Sequence, residues 1–135
     1  MKYFILPILV SIAINLNAQR ITQKESNIFD YEINKLDTCL VMQKLKGLWR
    51  SVDDREYTVK FNGNKYYEYY SRKCITKSKY TIVITKAHDA NKNTIKIRLI
   101  VFDAGRNFEI VSLSNKMLTI IDDESGNIIS FKKLE

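Results

Sequence analysis

The sequence predicts an all-β fold, an antiparallel eight-stranded meander barrel with a short N-terminal helical segment. From Gly47 onwards, apolar and polar residues alternate with a period of two, which is the pattern of half-buried strands. The segments between these strands are short and rich in Gly, Asn, Asp and Ser, which favours hairpins over the long crossovers that parallel strands need. Eight strands of this kind usually close into a barrel, because closure removes exposed edges.

The first eighteen residues predict a signal peptide. Lys2 gives a basic start, residues 3–14 form an apolar stretch, and Ala18 is the small residue that precedes cleavage. The apolar stretch is too short to span a bilayer as a helix, which takes ~20 residues. We therefore expect residues 1–18 to be removed, no membrane span, and a periplasmic or secreted protein.

Residues 19–46 are expected to form an N-terminal tail followed by a short helix. Apolar residues recur at helical spacing in the second half of this region: Phe29, Ile33, Leu36 and Leu40. Candidate N-caps precede two parts of the pattern: Ser26 or Asn27, then Asp37 or Thr38. One broken helix and two short helices fit this pattern equally well.

Residues 47–135 are predicted to form the barrel as a single domain. Turn residues divide this part of the chain into eight strands, at 47–52, 56–62, 65–71, 78–86, 94–102, 108–114, 117–122 and 128–134. In such a meander the loops after the odd-numbered strands lie together at one end. The loop after the third strand carries Arg72, Lys73 and Lys77, which are therefore candidates for binding an anionic ligand or partner at that end.

The two cysteines, Cys39 and Cys74, are expected to form a disulfide. Export takes the chain to an oxidising compartment, and the bond would close a loop of about 35 residues. In the chain-entropy model such a closure stabilises a fold by ~3–4 kcal/mol. A redox-active thiol is disfavoured, because the two residues lack the Cys-x-x-Cys spacing.

The chain is basic, with 22 Lys and Arg residues against 15 Asp and Glu residues, and it contains eight tyrosines. This composition is typical of proteins that bind nucleic acids, because cations neutralise phosphates and aromatic rings stack on bases. Export argues against such a partner, and the cations are spread along the chain. We therefore expect a solvated cationic surface and no nucleic-acid binding.

No catalytic or metal-binding pattern is evident in the sequence. His88 is the single histidine, and no motif places a serine, a cysteine or a carboxylate beside it. Residues 89–93 alternate oxygen ligands as a calcium loop does, but Thr94 and Ile100 stand where such a loop needs Gly and Glu. We therefore expect a protein that is not an enzyme and that uses no metal and no cofactor.

Three segments resemble lipocalins and related bacterial lipocalin-like domains: the Gly-x-Trp element in Leu45–Trp49, the hairpin FNGNKYYEYY and the late hairpin LSNKMLTIID. The resemblance covers Leu45–Leu134. It implies that Trp49 plugs the closed end of the barrel and that Lys132 or Lys133 replaces the arginine that covers this tryptophan in the family. It also implies a small hydrophobic or aromatic ligand.

Tyr67 and Tyr69 are the residues that would line a ligand pocket together with Trp49. They share one face of their strand and point away from Tyr66 and Glu68, and either face could be the inner one. A cavity of a few hundred Å³ would favour the ligand-binding class. A filled interior would favour a module that binds a secreted protein, such as a peptidase inhibitor, through its loops or its N-terminal tail.

Overall fold

A computed structural model describes residues 27–31, 35–89 and 92–134 of the chain. The predicted signal peptide lies outside these residues, as do most of the predicted tail and the centre of the segment at residues 89–93. Within the described ranges, no helix is long and apolar enough to cross a membrane.

Two short elements precede the barrel in the part of the chain that the structure describes, so the helical pattern there is divided rather than continuous. A 3₁₀ turn, Ile28–Asp30, begins after Asn27, whose side chain accepts a hydrogen bond from the backbone of the turn at 3.2 Å. Helix α1, Thr38–Leu45, begins after Asp37, whose carboxylate accepts from the N–H of Leu40 at 2.8 Å. Both capping residues are among the candidates that the sequence offers.

The remainder of the chain forms a closed antiparallel barrel in which sequence neighbours are also spatial neighbours, and β1 pairs with β8 to complete the ring. The predicted meander is thereby confirmed. The strands are β1 (Gly47–Ser51), β2 (Tyr57–Asn62), β3 (Lys65–Tyr70), β4 (Lys73–Asp89), β5 (Lys92–Val101), β6 (Arg106–Leu113), β7 (Met117–Asp122) and β8 (Ile128–Lys133).

The two ends of the barrel differ in how they are covered. Helix α1 leads into β1 at one end, the helix end, where Lys44 Nζ donates to Asn115 Oδ1 in the β6–β7 loop at 2.9 Å. The 3₁₀ turn is fastened to the same end, because Asn27 Nδ2 donates to Ser112 Oγ of β6 at 2.9 Å. The β1–β2, β3–β4, β5–β6 and β7–β8 loops lie together at the other end, the open end.

Strand β4 is longer than predicted, because it begins at Lys73 and not at residue 78. The chain reverses within two residues, Ser71 and Arg72, whose φ angles are both positive (47° and 68°), as a type I′ hairpin turn requires. Tyr70 therefore pairs directly with Lys73 across the turn. As a result Lys77 lies inside a strand and not in a loop at the open end.

Large side chains fill the interior of the barrel. Six strands each contribute a buried aromatic ring: Trp49, Phe61, Tyr66, Tyr80, Phe108 and Phe131. The Phe61 ring lies 5.4 Å from that of Tyr66 and 5.3 Å from that of Tyr80, centre to centre. The interior of an eight-stranded barrel is just wide enough for side chains to fill it, and this barrel takes that form.

Trp49 lies at the helix end, where the lipocalin resemblance implies it. Its side chain is fully buried, and its Nε1 donates to the carbonyl oxygen of Leu45 at 2.7 Å. Lys133 Nζ lies 5.2 Å from the centre of the indole ring, so a lysine of the last strand does cover the tryptophan. Burial, together with repulsion from Lys44, lowers the pKa of Lys133.

The predicted disulfide is wrong, because Cys39 and Cys74 are both exposed and unbonded. Cys39 lies in α1 at the helix end, whereas Cys74 lies at the start of β4, next to the open end. The height of the barrel separates them, and a disulfide cannot bridge Cα atoms more than ~7 Å apart. The error comes from inferring proximity from compartment and number alone.

Candidate functional site

An ionic cluster with a buried carboxylate crosses the barrel beneath the open end. Glu68 of β3 is 3% exposed and faces inwards. Its Oε1 accepts a hydrogen bond from Tyr66 Oη at 2.5 Å and another from Arg106 Nη1 at 2.8 Å. Arg106 begins β6, three strands away from β3, so the ion pair joins opposite walls. Asp122 Oδ2, at the end of β7, lies 3.7 Å from Arg106 Nη2.

The pKa values of Tyr57, Tyr66 and Arg106 in and beside this cluster are raised. Burial raises the pKa of Tyr66 well above its usual value, and the neighbouring Tyr57 and Glu68 raise it further. Burial also raises the pKa of Tyr57, with a further contribution from Glu68. For Arg106 burial is the largest single effect and acts to lower the pKa, but Glu68, Tyr57 and Tyr66 together outweigh it and the pKa is raised. The tyrosines therefore keep their protons while Arg106 keeps its charge.

The cluster closes the interior to a ligand that enters from the open end. Such a ligand would have to separate Arg106 from Glu68, and leaving a buried charge without its partner costs ~3–5 kcal/mol. The interior below the pair holds the rings of Tyr66 and Phe108, and the Arg106 guanidinium lies 4.9 Å from the centre of the latter. The interior thus resembles a packed core more than a binding cavity.

Tyr80 is the one aromatic residue of the core with an unsatisfied polar atom among the described residues. Its side chain is 3% exposed, and its hydroxyl finds no hydrogen-bond partner in the described part of the chain. Burial raises its pKa to about 12. A buried hydroxyl without a partner is a cost to stability.

The structure does not bring the three predicted ligand residues together. Trp49 is part of the core, whereas Tyr67 and Tyr69 lie on the outer face of β3. Their rings are nearly parallel, 24° apart, with centres 6.4 Å from each other. The inner face of β3 instead carries Tyr66 and Glu68.

A groove of about 740 Å³ lies on the outside of the barrel, over β1, β2 and β3 near the open end. Four cations, one carboxylate and several apolar or hydroxyl side chains line this outer groove: Arg50, Arg55, Lys60, Arg72, Glu56, Leu48, Leu134, Tyr69, Thr58 and Ser71. The carboxylate of Glu56 is engaged, because it accepts a hydrogen bond from the Ser71 hydroxyl. The groove therefore offers more positive than negative charge to a ligand.

The outer groove is part of a larger cationic surface, the basic face, formed by the outward side chains of β8 and β1–β4. Six exposed cations belong to it: Arg50, Lys60, Lys65, Lys77, Lys79 and Lys132. Strand pairing arranges its side chains in rows across the strands. One row runs through Lys132, Arg50, Thr58 and Tyr69, and the next through Leu48, Lys60, Tyr67 and Lys77.

Like charges face each other directly at two places on the basic face. Arg50 is paired with Lys132, and Lys65 is paired with Lys79. Like charges at directly opposed positions destabilise an antiparallel pair. Among the described side chains, the outward positions of these five strands carry no carboxylate, and no cation of the basic face forms an ion pair.

The predicted partner-binding cations do not lie together in the structure. Arg72 and Lys73 flank the β3–β4 turn at the open end, and Arg72 reaches the outer groove. Lys77 lies further along β4, with its Nζ 6.0 Å from the centre of the Tyr67 ring. Sequence reasoning missed Arg50 and Arg55, although Arg50 alternates with buried residues of β1 and is thereby marked as outward-facing.

Within the described residues, no group of three or more His, Cys, Asp or Glu side chains is arranged to hold a metal ion. Comparison of the chain with known protein families, with curated proteins and with solved structures finds no match.

Proposed function

We propose that the chain is an exported, non-enzymatic binding protein with a lipocalin-like barrel, and that it binds its ligand in the outer groove. The ligand is a small molecule with a hydrophobic or aromatic part and an acid group. The observation that carries this proposal is the combination in one groove of three guanidinium groups, a half-buried tyrosine and two leucines.

The residues of the outer groove suit such a ligand chemically. Guanidinium groups bind carboxylate, phosphate and sulfonate through paired hydrogen bonds, and Arg50, Arg55 and Arg72 all line the groove. Leu48 and Leu134 supply apolar surface at the floor, since the N–H of Leu134 donates to the carbonyl oxygen of Leu48 at 2.8 Å and holds the two together. The groove thus has a charged part and an apolar part.

Fluorescence titration with two aromatic probes tests the proposal. Anilinonaphthalene sulfonate carries an acid group, whereas phenylnaphthylamine is neutral and similar in size. We expect the sulfonate to bind more tightly than the neutral probe. A hydrogen bond to a charged group contributes ~1.5–3 kcal/mol, so the double variant Arg50→Gln, Arg72→Gln should weaken sulfonate binding by at least about tenfold.

The matched control is Arg98→Gln. Arg98 is an exposed arginine of β5 whose Nη1 lies 3.8 Å from Asp123 Oδ2, and it does not line the groove. Its loss should leave sulfonate binding unchanged. Equal binding of both probes, unaffected by the groove substitutions, would instead support an interior site and contradict the proposal.

A protein-binding module at the open end is the second candidate function. Four exposed large apolar side chains ring this end: Val52, Tyr70, Phe102 and Ile128, the last 65% exposed. Apolar side chains on loops of a rigid scaffold are typical of protein recognition. If the chain inhibits a secreted peptidase through this ring, inhibition of trypsin, papain or thermolysin should be lost in Phe102→Ser and retained in the double groove variant.

A further inference from the structure

We propose that the outer groove also binds one unit of an acidic polysaccharide, and that the sugar chain continues across the basic face from β8 to β4. This inference rests on the proposed function, because it assumes that the groove binds an acid group. It adds a second class of ligand, an acidic polymer, which the cations outside the groove bind too.

The spacing of the cations favours a linear polyanion. Neighbouring strands lie ~4.8 Å apart, so Lys60 and Lys77, two strands apart in one row, are separated by roughly 10 Å along the row. In the adjacent row, Lys132 of β8 is paired with Arg50 of the groove and does not itself line it. A chain that lies across the strands would therefore meet positive charge on both sides of the groove as well as within it.

The opposed like charges point to an anion as the missing partner. The pairs Arg50–Lys132 and Lys65–Lys79 weaken strand pairing, and none of these four cations forms an ion pair with a described carboxylate. A bound polyanion would neutralise both cations of a pair at once. These pairs do not stabilise the free protein. In a complex with a polyanion, the same pairs would stabilise the bound state.

The aromatic residues of the basic face favour a sugar chain over a single-stranded nucleic acid. Base stacking needs a free ring face. The Tyr67 ring already has Lys60 Nζ and Lys77 Nζ each 6.0 Å from its centre and the Tyr69 ring parallel to it. Sugar hydroxyls can instead form hydrogen bonds with the tyrosine hydroxyls and with the side chains of Thr58 and Ser71 in the groove.

The groove also favours a chain over a membrane surface. The outside of a closed barrel is convex, so a flat bilayer would touch a narrow strip of it and would leave the groove empty. A single extended polymer can enter the groove and follow the rows on either side.

Calorimetric titration with ligands of increasing length tests the inference. The probes are galacturonic acid, its trimer and polygalacturonate, with neutral cellulose oligomers as the uncharged control. We expect affinity per binding site to rise with length, no binding of the neutral oligomers, and a loss of roughly tenfold in polygalacturonate affinity between about 50 and about 200 mM salt.

The double variant Lys77→Gln, Lys132→Gln removes cations of the basic face that do not line the groove. It should abolish the gain in affinity from trimer to polymer while leaving the binding of anilinonaphthalene sulfonate unchanged. Lys96→Gln, an exposed lysine of β5, is the matched control and should retain the length dependence. Thermal unfolding of each variant checks that the fold is intact.

The outcomes separate this inference from the proposed function. If the sulfonate binds in the groove but affinity does not rise with sugar length, the polymer inference is overturned and the groove proposal stands. If neither the sulfonate nor any uronate binds, both are overturned. Heparin, a sulfated sugar chain, should bind in the same manner, whereas tighter binding of oligothymidylate than of either polysaccharide would assign the face to nucleic acid and overturn the inference.

Discussion

Cations lie on both sides of the barrel wall, and their surroundings differ. Inside, Arg106 donates to Glu68 at 2.8 Å and lies near Asp122, so its charge is compensated. Outside, Arg50 and Lys132 face each other across a strand pair without a carboxylate between them. The inner cation stabilises the fold because the buried Glu68 carboxylate needs a partner, whereas the outer cations remain available to a ligand. Stability and recognition therefore reside on opposite faces of the same strands, and substitutions should separate them.

Trp49→Ala should have the largest effect on the inner side. The indole is fully buried, donates to Leu45 O and lies beneath Lys133, so truncation leaves a cavity at the helix end. Replacing a buried tryptophan by alanine costs ~3–5 kcal/mol, which is enough to unfold a marginal small domain. Urea denaturation measures this loss. An unchanged midpoint would contradict both the burial of Trp49 and the lipocalin resemblance.

Arg106→Met should be the next most destabilising change, by about 3 kcal/mol, because it leaves the Glu68 carboxylate buried without its cation. The double variant Arg106→Met, Glu68→Gln tests the cause, since the Glu68→Gln substitution removes the buried charge and leaves Tyr66 an uncharged amide partner. Urea denaturation should show that the double variant recovers most of the loss. A double variant as unstable as the single one would show that packing, and not the unpaired charge, is responsible.

Tyr80→Phe should stabilise the protein by ~1–2 kcal/mol at neutral pH, because it removes a buried hydroxyl that has no partner in the described part of the chain. It should also make the free energy of unfolding depend less on pH in the alkaline range. In the folded protein Tyr80 keeps its proton up to about pH 12, whereas the unfolded chain loses it near pH 10. The folded state then binds more protons, so stability falls as the pH rises through this window.

Thermal unfolding of wild type and Tyr80→Phe between about pH 9 and pH 11 measures the difference. The gap between the two proteins should widen with rising pH. Burial raises the pKa of Tyr57 and Tyr66 in the same direction, so the variant retains part of the alkaline loss. A Tyr80→Phe variant less stable than wild type at neutral pH would indicate that the hydroxyl is satisfied.

Lys132→Glu should have the smallest effect on stability and the opposite sign to the core truncations. It replaces a repulsive pairing with Arg50 by an attractive one, and such cross-strand pairs contribute ~0.2–1 kcal/mol. Thermal unfolding should show a slight rise in midpoint at low salt and none at high salt. A marked destabilisation would mean that the outer face supports the fold, and the division between the two faces would then be incorrect.

Most of the architecture was accessible from the sequence, because the period of two and the short polar turns each have a direct structural cause. The alternation of Val59 and Phe61 with Thr58 and Lys60 marks inner and outer positions without reference to the rest of the molecule. The start of β4 was missed because Ser71 and Arg72 are unusual residues for a two-residue turn, which more often uses Asn-Gly.

The candidate site was harder to predict from the sequence than the fold. Tyrosines occupy both faces of β3, so residue type does not distinguish Tyr67 outside from Tyr66 inside. Glu68 would be placed on the outer face by polarity alone, and its burial is explained only by Arg106, which lies 38 positions away in the sequence. The outer groove likewise includes Leu134, which only the pairing of β8 with β1 brings beside Leu48.

The backbone of Arg72 has a consequence for binding. Its left-handed conformation, φ 68°, is one that non-glycine residues rarely adopt and that costs of order 1 kcal/mol. Because Tyr70 and Lys73 are paired on either side of it, the residue is held in a tight turn and its Cα is fixed at the edge of the groove. A ligand then has only the rotamers of the side chain to immobilise. The hairpin preorganises the guanidinium, so less conformational entropy is lost on association.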